Sequence, residues 1–185
     1  MRMGAVAVVL WGVGGVVLLL AEAIVRLGML ALRLLRTHSL TTAQTVMLVV
    51  WTLLICYAEG YRGFQQRFSP RVVARALYIA AHPKPLLVAF APLVCMGFFH
   101  ATRRLLIVSW SLLVGIVGLV VLIRFLPPIY RAIVDVGVAL ALTWGTAAIV
   151  VFLVRALAGK PPAISPDVPG ASPSASPGAP PDASL

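Results

Sequence analysis

The 185-residue chain is 61% hydrophobic and 11% charged, with a net charge of +10 and a mean hydropathy of +1.03. Water-soluble domains are ordinarily ~45–50% apolar, so a single soluble domain is excluded and lipid is the expected solvent. The basic residues are spread along the flanks of apolar segments, where they meet anionic headgroups, and they form no concentrated stripe for nucleic acid.

The expected fold is all-α: a polytopic transmembrane helical bundle over residues 1–158, followed by a disordered tail over 159–185. The first span covers about 4–35 and contains no proline. Arg2, an apolar run and Ala21-Glu22-Ala23 imitate a signal peptide, but the apolar run exceeds the usual ~7–15 residues and the pattern resumes through Leu35, so a retained anchor is expected. A straight helix of this length exceeds the ~30 Å hydrocarbon layer, so it must protrude, tilt or bend, with Gly28 as the candidate bend. Gly12, Gly14 and Gly15 lie inside an apolar helix and are not a nucleotide loop.

A second span is expected over 43–64. Helical steps from Glu59 pick out Thr45, Thr52, Cys56, Gly63 and Gln66 as a small or polar face of the kind that favours helix contact in lipid. Ser69-Pro70 reads as a cap and first turn, so an interfacial amphipathic helix is expected over about 70–81. Arg71, Arg75, Tyr78 and His82 would lie on its polar stripe. Residues 86–101 are apolar but short and carry Pro92, followed by spans over 105–126 and 134–157. In the last of these, Gly137, Ala141 and Gly145 recur every four residues as a close-packing face. The tail holds eight of the fourteen prolines and cannot bury enough apolar surface to fold.

Hydropathy favours five spans; the alternative is four spans with 86–101 as a re-entrant hairpin broken at Pro92. With five, the N-terminal side carries Arg2, Arg62, Arg67, Arg71, Arg75, Lys84, Arg124 and Arg131 against six cations opposite. With four, Arg103, Arg104, Arg155 and Lys160 move to the N-terminal side while Arg124 and Arg131 leave it to join Arg33 and Arg36, giving ten against four. Either count places the N-terminus and the 65–85 loop in the cytoplasm of a bacterium-like cell, with the bundle in its plasma (inner) membrane.

Three acidic residues in or beside apolar stretches are the candidate chemistry. Glu22 with Arg26, Glu59 with Arg62, and Arg131 with Asp135 are spaced to touch within their helices. An ionised side chain at the bilayer centre costs at least ~2.5–3.5 kcal/mol, so these residues are expected to face one another as an intramembrane polar seam, a cavity or water. A second set, Arg62, Arg67, Arg71, Arg75 and Tyr78, has the composition of an anion or lipid-headgroup contact.

No catalytic, cofactor or metal motif stands out. His38, His82 and His100 lack ligand spacing, Cys56 and Cys95 read as small buried hydrophobes, and no nucleophile elbow surrounds Ser109, Ser111, Thr143 or Thr146. The expected role is non-enzymatic: a helix-packing or accessory subunit whose partners are the anionic bilayer, a second copy or other membrane proteins. The alternatives are a small proton-coupled or anion transporter using the carboxylate seam, and a membrane enzyme acting on lipid or quinone at the Glu59–Arg71 face. Convergence of Glu22, Glu59 and Asp135 at one depth favours transport; scattering favours the accessory role.

Overall fold

The computed structural model describes residues 3–99, 103–164 and 166. Seven α-helices and one π-helical segment follow in order: α1 (Met3–Thr37), α2 (Thr42–Ile55), the π segment (Cys56–Phe68), α3 (Ser69–Ala81), α4 (Pro85–Ala89), α5 (Ala91–Met96), α6 (Arg103–Ile123) and α7 (Pro128–Leu157). Among the described residues, three helical stretches are long and apolar enough to cross a membrane: Met3–Thr37, Thr42–Ala81 and Pro128–Leu157. His100, the side chains of Arg104 and Ser109, and the tail beyond Pro166 lie outside the described residues.

Helix α1 continues through Gly28 to Thr37. A capping box then starts α2: Gln44 N–H donates to Thr41 Oγ1, and Thr41 N–H donates to Gln44 Oε1 at 3.0 Å. From Thr42 to Ala81 the chain is one helical stretch. The expected break at Ser69-Pro70 does not occur: Ser69 is not the N-cap of α3, a place held by Phe68 without a side-chain hydrogen bond. Instead, winding widens before the proline, with Ser69 N–H reaching back five residues to the Phe64 carbonyl. In α geometry the Pro70 ring would press on the carbonyl four residues earlier, and π winding draws that carbonyl away.

The expected interfacial helix is a core element. Helix α3 buries Val72, Val73, Ala76 and Ile79 against Val9, Val13 and Val16 of α1, Ala91, Val94 and Cys95 of α5, and Ile149 and Ala156 of α7. The first half of α1 thus lies beside the last turns of α7, and these two helices are antiparallel. Helix α2 and the π segment run parallel to α7. A Cβ on Gly137 would come 2.8 Å from the Trp51 ring, one on Gly60 would meet Trp144 and Ala141, and one on Gly145 would collide with Phe64. The Gly137–Ala141–Gly145 face therefore packs as expected, with rings and backbone occupying the space that side chains would need.

Residues 86–99, the described part of the expected 86–101 span, do not form a single helix. Helices α4 and α5 have five and six residues, roughly 8 and 9 Å of rise, and neither can cross ~30 Å of hydrocarbon. Pro92 has no N–H for the Val88 carbonyl, which accepts instead from Trp11 Nε1 of α1 at 3.1 Å. Helix α5 ends at Gly97, whose φ of 85° suits a residue without a side chain. Helix α5 nests against α1 where Gly12 meets Cys95 and Ala91, and Gly15 meets Pro92.

A methyl group at Gly15 would strike the Pro92 ring, whereas Gly14 faces open space. Gly15→Ala should therefore cost about 1–3 kcal/mol through overpacking, while Gly14→Ala should be neutral or mildly stabilising. Thermal unfolding of the two variants in detergent checks this: equal midpoints would refute the close approach of α1 to α5.

Candidate functional site

The predicted polar seam does not assemble. Glu22 and Arg26 are exposed on α1, Glu59 and Arg62 are exposed on the π segment, and Asp135 alone is interior, 6% exposed on α7. Of the three expected pairs one closes, Arg131 Nε to Asp135 Oδ2 at 3.8 Å. Among the described residues no ion pair within 4.0 Å joins Glu22 to Arg26 or Glu59 to Arg62. The π segment explains Glu59. Wider winding keeps Gly60, Phe64, Gln65 and Ser69 toward α7, where Ser69 Oγ donates to the Gly145 carbonyl at 3.3 Å. Glu59, Arg62 and Arg67 then turn outward.

The expected headgroup set divides as well. Arg62 and Arg67 face out, Arg71 is half-buried, and Tyr78 is half-buried with its ring 4.7 Å from that of His82. Arg75 points inward. It is 3% exposed, and its Nη1 donates to the Cys95 carbonyl at 2.9 Å while its Nε donates to the Pro166 carbonyl at 3.0 Å. A guanidinium thus closes the last turn of α5, where a helix presents partial negative charge, and ties the segment after α7 to α3. The expected tail accordingly begins as a held strap: Gly159, at φ 83°, ends α7, and Lys160 N–H returns to the Arg155 carbonyl at 2.9 Å.

A groove of about 560 Å³ lies between the π segment and α7, lined by Cys56, Leu140, Trp144, Ala147 and Val151 among others. Trp144 Nε1 donates to Gln65 Oε1 at 2.8 Å across its wall. Gln65, Phe152 and Arg155 also line a second hollow of about 550 Å³, bounded by Tyr61, Gln66, Pro70 and the strap from Lys160 to Ile164. Sequence reasoning did not find this groove, because its cations, Arg155 and Lys160, read only as span-flanking charges. The two thiols are far apart in role: Cys56 lines the groove, and Cys95 is buried in the core against Gly12.

Comparison of the chain with models of protein families, with curated proteins and with solved structures gave no match. The fold itself defines the class: among the described residues the chain is all-helical, with three helices long and apolar enough to cross a membrane.

Arg75→Gln should remove charge-assisted bonds to the buried Cys95 carbonyl and the half-buried Pro166 carbonyl and lower stability by about 2–3 kcal/mol, whereas Arg67→Gln on the outer surface should change little. Urea titration of the purified variants measures the difference. Matching midpoints would show that Arg75 does not tie α5 and the strap to the bundle.

Proposed function

We propose that the chain is a multi-pass membrane protein with four crossings, α1, the stretch from α2 to α3, α6 and α7, and a re-entrant hairpin made of α4 and α5. Its interior is built from Val, Ala, Gly and Ile, whereas Leu18, Val25, Leu53, Leu54, Val114 and Val151 are exposed. That inversion suits a hydrocarbon solvent, in which small residues drive helix contact and large aliphatic groups meet lipid. The α4–α5 break is also supported in the only way hydrocarbon permits, by protein donors at the freed carbonyls. The four-crossing path gathers the start of α1, the hairpin and the end of α7 at one face with ten of the flanking cations, so that face is assigned to the cytoplasm of a plasma (inner) membrane.

Within that membrane we infer a non-enzymatic accessory or helix-packing role. The observation that carries it is the scattering of the carboxylates. Glu22 and Arg26 sit on the outer face of α1 among exposed Leu18, Leu19, Val25 and Met29, and a partner helix, from a second copy or another membrane protein, would cover these polar groups. A shared proton pathway would instead need the three acids to converge.

Topology has a direct measure. With Cys56 and Cys95 replaced by Ala, single cysteines at Lys84 and Arg103 should both react with an impermeant maleimide from the same side of sealed inverted vesicles. Labelling from opposite sides would restore a fifth crossing. For the accessory role, the chain purified in mild detergent should migrate as a complex that Glu22→Leu with Arg26→Leu disrupts. A strictly monomeric wild type would rule it out.

A further inference from the structure

We propose that the groove between the π segment and α7 holds one anionic phospholipid, its acyl chain along Leu140 to Val151 and its phosphate at Arg155 and Lys160. This rests on the membrane placement above.

Leu140 and Arg155 are fifteen residues apart on α7, about 22 Å along the axis. One leaflet contributes about 15 Å of hydrocarbon, so a groove of this length reaches from mid-bilayer to the headgroup layer. Its deep part is lined by Leu140, Ala147 and Val151, which suit an acyl chain. Trp144, bonded to Gln65 Oε1 at 2.8 Å, is fixed as a flat wall beside it.

The upper part changes character where the two hollows meet. Arg155 borders both, and the left-handed turn at Gly159 folds Lys160 back so that it borders the second, with Pro161 and Pro162 stiffening the strap behind it. Among the described residues that line either hollow there are two cations and no carboxylate. The guanidinium fork matches phosphate oxygens, the ammonium adds a point charge, and the Tyr61 and Gln66 side chains border the same space. A headgroup with net negative charge fits this end. A zwitterionic one brings its own ammonium toward two cations and gains less.

The full chain, reconstituted in phosphatidylcholine vesicles, is titrated with phosphatidylglycerol or phosphatidylcholine spin-labelled on the acyl chain, and tryptophan fluorescence is followed. Subtracting the signal of the Trp144→Phe variant isolates the reporter in the groove. The Trp144 component should be quenched at lower mole fractions of the anionic lipid, by roughly fivefold for each cation. Arg155→Gln combined with Lys160→Gln should abolish the preference yet leave quenching by both lipids. Lys160→Gln alone, outside α7, should reduce it without touching a helix. Excess inorganic phosphate should not displace the lipid. Equal quenching by the two lipids in the wild type, or an undiminished preference in the double variant, overturns the lipid site and leaves the membrane placement standing. Displacement by inorganic phosphate assigns the cations to the free anion and overturns it too. No quenching by either lipid removes the membrane placement itself.

Discussion

Every polar group on the backbone must find a partner, and in this chain the demand is sharpest where helix α4 gives way to α5. Pro92 withholds the N–H that the Val88 carbonyl would have used, and the last turn of α5 ends with the Cys95 carbonyl still to be satisfied. Trp11 from α1 and Arg75 from α3 supply those donors. Trp11 can reach because α1 and α5 stand close, and Gly12 and Gly15 permit that by presenting no side chain to α5. Hydrogen bonding and close packing are therefore one requirement here: widening the α1–α5 contact would orphan the Val88 carbonyl as well as open a gap. In hydrocarbon, where no water substitutes, an orphaned group costs several kcal/mol.

The same economy of space governs the contact between α7 and the stretch from α2 to α3. Gly137 receives Trp51, Gly145 receives Phe64, and Gly60 lies under Trp144, so each helix contributes glycines where the other contributes rings. These contacts resemble knobs set into shallow seats. In the proposed membrane placement they would rely on dispersion rather than on expelling water, with the large aliphatic side chains pointing away from the bundle.

How much of this was legible from residues alone varied with the periodicity involved. The Gly137–Ala141–Gly145 face and the Arg131–Asp135 pair were readable because α7 keeps regular α geometry, so steps of four count correctly. Glu59 was misplaced because the count assumed 3.6 residues per turn, and the π winding through Cys56–Phe68 rotates the face that meets α7. Arg75 was assigned to a headgroup stripe by its spacing from Arg71 and Tyr78. Spacing identifies which residues share a stripe, but what covers that stripe depends on α5 and the strap, both distant in sequence. Pro92 did mark the break between α4 and α5. Apolar length outweighed it, since sixteen residues nearly suffice for a crossing when the break is ignored. The T-x-x-Q start of α2 and the seating role of Gly12 and Gly15 were also present in the sequence, the first as a capping signature and the second only as an unexplained glycine cluster.

The Arg75–Pro166 bond decides where the strap comes to rest. It does not continue outward along the axis of α7; it doubles back, so that Pro166 lies beside α3 and the end of α5. A fluorophore attached at Ile164, two residues before that anchor, would therefore report on the α3–α5 corner of the molecule.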